Sequence, residues 1–338
     1  SSASSASSDT TDSAGSESTG TPDWPDPPEI PAGEWLELPD TLMADVAHDV
    51  EGPALTSVDC VIDCWSGGAL DTDRNHMIVW GGGHGQYAGN ELYAFNLNSF
   101  EWRRYNDPSQ PLADSPYAAD GLPSSRHTYN YLQYVPGIGR FCTFGGAAFW
   151  PGGQQNGYST DCYDSPSDTW TTYSDVPGSA VGYAFSAWDA QTGYVWQHGW
   201  GSTGRLVQWD PCADQWQLRG QASNDEYLLS GHRTTAAIDY STRSFVALGE
   251  AGTFAFGLDD DEATIGLRQL ATTGDTEIEN VHSPGVAYDP VSERIIAWNG
   301  GLDVYVLDTA AAVWTRVQGG GDDPGPPNGN GTYGRFRY

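Results

Sequence analysis

The chain has no lysine. All 14 of its basic residues are arginine, set against 45 aspartates and glutamates, for a formal net charge of −31. The missing lysine excludes Schiff-base and lysine general-base chemistry. The shortage of positive charge argues against nucleic acid as a partner, because phosphate contacts need clustered cations. No run is long and apolar enough to span a bilayer as a helix. Cysteine is scarce too, with five residues: Cys60, Cys64, Cys142, Cys162 and Cys212. An odd count in a chain expected to be exported leaves one unpaired or paired elsewhere. Cys142 and Cys162 flank a hairpin centred near Gly152, a placement that lets them face each other across two strands.

Aromatics and turn formers are plentiful instead. Trp 14, Tyr 18 and Phe 10 stand with Gly 42 and Pro 21, a mixture that points to short strands and many turns, not long helices. The acidic balance favours solubility and says nothing about fold. Residues 1–32 are Ser, Thr, Asp and Pro with almost nothing to bury, so they cannot repay their ordering entropy. They read as a disordered acidic stalk ahead of a folded domain at 33–338. The stalk's composition resembles the tether of bacterial surface lipoproteins, and the chain begins at Ser1, as after removal of an export signal. Both imply an extracellular or cell-surface location.

A repeat organises the folded part. A first turn (Ala69-Leu-Asp71, Tyr134-Val-Pro136, Ala187-Trp-Asp189, Ala237-Ile-Asp239, Ala287-Tyr-Asp289) leads to an apolar strand. These strands are Met77–Trp80, Phe141–Phe144, Tyr194–Trp196, Phe245–Leu248 and Ile295–Trp298, and each meets glycine at its end. A third strand and a second turn follow, and Trp102, Trp170, Trp216 and Trp314 close four of the units. Units of about 40–60 residues with four short strands are the signature of propeller blades. The glycine pair, the aromatic third strand and the closing tryptophan resemble the kelch repeat over about residues 60–318. The resemblance implies an all-β, kelch-like propeller of the galactose-oxidase-central-domain-like superfamily. Five repeats are complete. Asn330–Tyr338 looks like the first strand of a sixth, which implies six or seven blades in a complete form, with the Trp35 strand supplying the outer strand of the closing blade.

Chemistry is expected where the innermost strands begin, at one mouth of the central channel. Counting back from the first-turn anchors places Cys64, His127, Gly182, His232, His282 and Gly331 together, with Arg126 and Arg233 beside two of the histidines. Imidazoles in such a ring serve as general acids or bases, or as ligands of a divalent metal (His127, His232, His282). Arginine grips a carboxylate. A second candidate is His84, Tyr87 and Asn90 in the insertion after the first glycines, a set that suits a sugar, with polar edges around an aromatic face. His198 holds a comparable place in the third unit, and Trp150 lies in another long aromatic loop of the kind that carries binding. Asp71-Thr-Asp73-Arg-Asn75 lacks the glycine and distal glutamate of a calcium loop and reads as a turn. No serine sits in a nucleophile elbow.

Among kelch-like propellers, the resemblance implies a glycan-binding or glycan-active domain at this mouth. A polysaccharide lyase would use His127, Tyr129, His232, Arg233 and His282 to neutralise a uronate and move its proton. The tyrosine–cysteine copper site of galactose oxidase has no counterpart here. The alternative is a non-catalytic surface propeller that binds a protein or polymer. A monomer is expected in either case.

Overall fold

The computed structural model describes residues 28–338 apart from residues 51, 53, 56, 111–114, 149–154, 179–182, 200–204, 222–232 and 261–265. Most of the stalk, Trp150 and His232 lie outside the described residues. The rest forms five four-stranded antiparallel blades arranged as a β-propeller.

The first blade runs outward through Gly68–Asp71, His76–Val79, Tyr93–Asn96 and Glu101–Arg104. The innermost strands of the other four are Leu132–Val135, Phe185–Trp188, Thr234–Asp239 and Gly285–Asp289. A carboxylate closes the first turn wherever the anchor is aspartate. The Asp71 carboxylate accepts from the backbone N–H of Asp73 (3.0 Å) and Arg74 (3.1 Å). Asp189, Asp239 and Asp289 do the same for the residues two positions on. A left-handed residue then turns the chain into the second strand: Asn75, Arg243 or Glu293. Such side-chain caps are the reason aspartate recurs there, and Asp71–Asn75 is a turn, as the sequence implies.

The closing tryptophans hold neighbouring sheets together. Trp170 packs on Trp80 of the first blade, with ring centroids 5.5 Å apart. Trp216 donates its indole N–H to Thr160 Oγ1 of the second blade (3.1 Å), and Trp314 donates to Thr253 Oγ1 of the fourth (3.2 Å). Trp102 has no preceding blade, and the N-terminal segment fills that place: its N–H reaches Thr41 O at 2.9 Å. Each indole thus packs a large apolar face at a seam, and those of Trp102, Trp216 and Trp314 also satisfy their one donor. Cys142 and Cys162, opposite each other in register, form a disulfide. A second disulfide joins Cys60 to Cys64, and Cys212 is free and exposed.

The tail differs from the expected start of a sixth unit. It makes no blade strand but a 3₁₀ turn, Tyr333–Arg335, lodged between the innermost strands of the first and fifth blades. The cause is visible in two arginines. Arg335 donates to the carbonyls of Ile62, Ser66 (2.8 Å) and Gly331 (2.6 Å), and Arg337 donates to Gly68 O (3.1 Å) and Gly334 O (2.7 Å). These contacts draw the backbone across the gap instead of along it. Trp35 likewise joins no antiparallel blade. Glu34–Trp35 pairs in parallel with Gly320–Gly321, and its ring sits 5.8 Å from Trp298 and 6.5 Å from Phe336.

Candidate functional site at the strand-start mouth

Left-handed residues set the register where the innermost strands begin. Trp65, Tyr129, Tyr183, Ser283 and Tyr333 all have φ between 40° and 52°. Backbone bonds link neighbours here: Tyr129 N–H to Trp65 O (2.8 Å), Ser283 N–H to Arg233 O (3.2 Å) and Thr332 N–H to Ser283 O (2.9 Å). The tail therefore takes its place in the ring of strand leads, though not as a blade. Gly67 is required beside it: a Cβ there would stand 2.1 Å from Tyr129 O.

This register corrects the expected histidine ring. His127 lies two residues before its left-handed residue, whereas His282 lies one before, so the two do not share a position. The second blade carries an additional 3₁₀ turn, Pro136–Ile138, after its innermost strand, and counting back from the first turn missed by one.

Their environments differ accordingly. His127 is 4% exposed. Its Nε2 faces Gln86 Oε1 at 3.1 Å and its Nδ1 faces the Tyr129 hydroxyl at 3.2 Å. Both ring nitrogens of His127 therefore have side-chain partners. His282 is partly exposed, with Nδ1 3.6 Å from Glu250, which also pairs with Arg233 at 3.2 Å.

Around His127 lies a cluster of rings. His84 stacks obliquely at 4.4 Å between centroids and Trp65 at 4.9 Å. Tyr129 joins His127 at 5.6 Å, Tyr183 at 5.5 Å, Tyr333 at 5.9 Å and Tyr131 at 6.2 Å. Glycine positions the pieces. Gly81, Gly82 and Gly83 all have positive φ, and a Cβ on Gly83 would stand 2.7 Å from His127 Nε2. The glycine run thus lets the first blade's insertion fold over the second blade and set His84 and Gln86 against His127. Trp65, His84, Gln86 and Tyr183 keep exposed surface, while His127, Tyr129, Tyr131 and Tyr333 are buried beneath.

Burial, and then His84, lowers the His127 pKa to about 3. Burial also lowers that of His84. Desolvation, followed by Tyr131, Tyr333 and Tyr183, pushes the Tyr129 phenol above its ordinary value. Near neutrality this is an uncharged surface of rings with hydrogen-bonding edges.

The other expected site residues lie elsewhere. Arg126 is fully buried. It donates to Gly145 O (2.9 Å) and Ser124 O (3.2 Å), and lies 3.8 Å from Asp161. Its guanidinium is committed to the protein interior, away from any anion at the mouth. Tyr87 is buried under the N-terminal segment, donating to Glu91 and facing His48 Nε2 at 2.6 Å. Asn90 spends its amide on Ser109 (2.9 Å) and Pro123 O (3.0 Å). His198 is fully buried, stacked on Phe185 at 5.1 Å, and burial lowers its pKa to about 4. Of the candidates given, His84, His127 and Tyr129 come together. Trp65, Tyr183 and Tyr333 were missed. Trp65, Tyr129 and Tyr183 are aromatics just ahead of an innermost strand, and Tyr333 of the tail shares only their left-handed backbone.

Among the described residues no three His, Cys, Asp or Glu side chains gather as a metal requires. His127 and His282, two of the expected ligands, each face other partners, and His232 lies outside the described residues. The described residues therefore do not provide the expected divalent-metal site. No described helix is long and apolar enough to cross a membrane. In comparisons with known proteins, no family model matches the chain and no curated protein matches it.

Proposed function

We propose that this chain is an exported, non-catalytic carbohydrate-binding propeller of kelch type, taking a neutral glycan at the strand-start mouth. One observation carries the reading: Trp65, His84 and Tyr183 present ring surface around a buried His127–Tyr129 pair. Aromatic faces pack against the apolar face of a pyranose, while imidazole, amide and phenol edges bond its hydroxyls. Binding is favoured over catalysis because His127 stays uncharged and both its nitrogens have partners. A phenol shifted upward is likewise a poor base at neutral pH. A neutral ligand is favoured over a uronate because the arginines expected to grip a carboxylate at this mouth are already engaged. Arg126 faces inward, and Arg233 is paired with Glu250. This reading sets aside the lyase expectation. Two disulfides suit an oxidising compartment, in line with a stalked extracellular or surface domain that acts as a monomer.

The test is affinity electrophoresis against neutral polysaccharides (glucans, mannans, galactans) and polygalacturonate, with product analysis for unsaturated uronates. Retardation by a neutral polymer, reduced by Trp65→Ala and without product, is expected. Retardation only by polygalacturonate, or release of unsaturated product, overturns the reading. Binding to none of the polymers moves the chain to the protein-binding alternative.

A further inference from the structure

The channel's other mouth, where the innermost strands end, holds a cavity of about 630 Å³. Its size lies within the range of small-molecule sites. The walls are narrow side chains, Ala187, Ala236 and Ala287, that leave the axis open. Tyr134, Trp188, Tyr240 and Tyr288 add aromatic surface around them. Apolar walls alone would not specify a ligand.

Arg337 changes that. It lines the cavity, fixed through Nε to Gly334 O and through Nη2 to Gly68 O. Among the described residues no carboxylate pairs with it, and its Nη1 has no protein acceptor. Burial lowers its pKa to about 10, so it stays charged near neutrality. The acids of the neighbouring turns are already engaged: Asp71 with Arg74 and Asp189 with Arg243, each at 2.9 Å. Glu293, exposed in the cavity wall, is an acid of the lining without such a partner. Gln133 is 4% exposed; its amide nitrogen is held by Ser186, while its Oε1 has no protein donor among the described residues. A half-buried cation with no carboxylate paired to it, in a cavity that also offers an unused acceptor and aromatic walls, is a built recognition site.

We propose that this cavity binds a small monocarboxylate bearing an apolar ring. The carboxylate would sit on Arg337, the ring against Trp188 and the tyrosines, and a hydroxyl or amine on the ligand would donate to Gln133. A single carboxylate fits better than a phosphate, because one guanidinium edge is offered and the chain's −31 charge opposes a dianion. The site is independent of the glycan reading, being built from other residues at the other mouth.

The test is calorimetric titration of the full chain with 4-phenylbutyrate and 3-indolepropionate, each paired with its neutral amide. The acids are expected to bind at least about tenfold more tightly than the amides, as a charge-assisted hydrogen bond implies. Arg337→Gln should erase that preference. Equal affinity for acid and amide, no heat from either acid at millimolar concentration, or an unchanged preference in Arg337→Gln overturns the proposal. Should Arg337→Gln fail to fold, the surface variant Glu293→Gln replaces it. Tighter binding of the acids alone supports the site, and an equal change for acid and amide contradicts it.

Discussion

The two ends of one channel are built from the same five strands and reach opposite results. Where the strands begin, left-handed leads and backbone bonds bring Trp65, Tyr129, Tyr183 and Tyr333 inward, and the rings fill the axis. Where the strands end, alanines face the axis and a cavity of about 630 Å³ remains. The difference lies in what each position must satisfy. A left-handed lead exposes backbone groups that a neighbouring blade answers, so the leads close on one another. In four blades a strand end is capped by its own aspartate, and the links between neighbours run from turn to turn, as in Asp189 with Arg243, so space is left on the axis.

The largest effect in this contrast should come from Gly67→Ala. A Cβ there meets Tyr129 O at 2.1 Å, a backbone atom that no rotamer change can move aside. Thermal or denaturant unfolding should show a loss of about 3 kcal/mol. An alanine tolerated within about 0.5 kcal/mol would mean that the leads do not hold the mouth closed. Trp65→Ala follows, with an expected loss of about tenfold in glycan affinity and no change in carboxylate binding at the other mouth. Loss at both ends would erase the distinction between them.

Acid should weaken the closed mouth in particular. The His127 pKa is about 3 in the folded chain against an ordinary 6.5, so the unfolded state takes up the proton first as pH falls. Its contribution is fully present above pH 6.5 and is lost progressively as pH falls towards 3. His198, lowered to about 4, acts in the same direction. Between pH 7 and pH 4, His127→Gln should lose at least about 1 kcal/mol less stability than the parent chain. Equal losses in unfolding measurements would contradict the burial assigned to this ring. The smallest effect is expected of His198→Phe. Among the described residues both nitrogens of His198 are buried without a partner, and the ring already stacks on Phe185. Phenylalanine should be neutral or stabilise by up to about 1 kcal/mol at pH 7, and a clear destabilisation would reveal an unseen hydrogen bond.

The blades were legible in the sequence because they repeat: Asp71, Asp189, Asp239 and Asp289 each cap a turn, and Trp170, Trp216 and Trp314 each fill a seam. The Cys142–Cys162 bridge was legible from hairpin symmetry. The site was legible only in part. His84, His127 and Tyr129 sit in the mouth, but Arg126, Tyr87 and Asn90 turn inward to Gly145, Glu91 and Ser109, partners whose proximity depends on how the chain folds over itself. The tail's 3₁₀ turn was hidden for the same reason, since Arg335 finds its carbonyls at Ile62 and Ser66, far along the chain.

We propose that the strand-start mouth binds a neutral glycan through its rings. It is tested most directly by calorimetric titration of a neutral oligosaccharide, chosen from the polymer that retards the parent chain, into that chain and Trp65→Ala. Saturable binding by the parent, weakened about tenfold in the variant at unchanged fold, is the predicted result. Equal binding by both, or no binding by the parent, would contradict it.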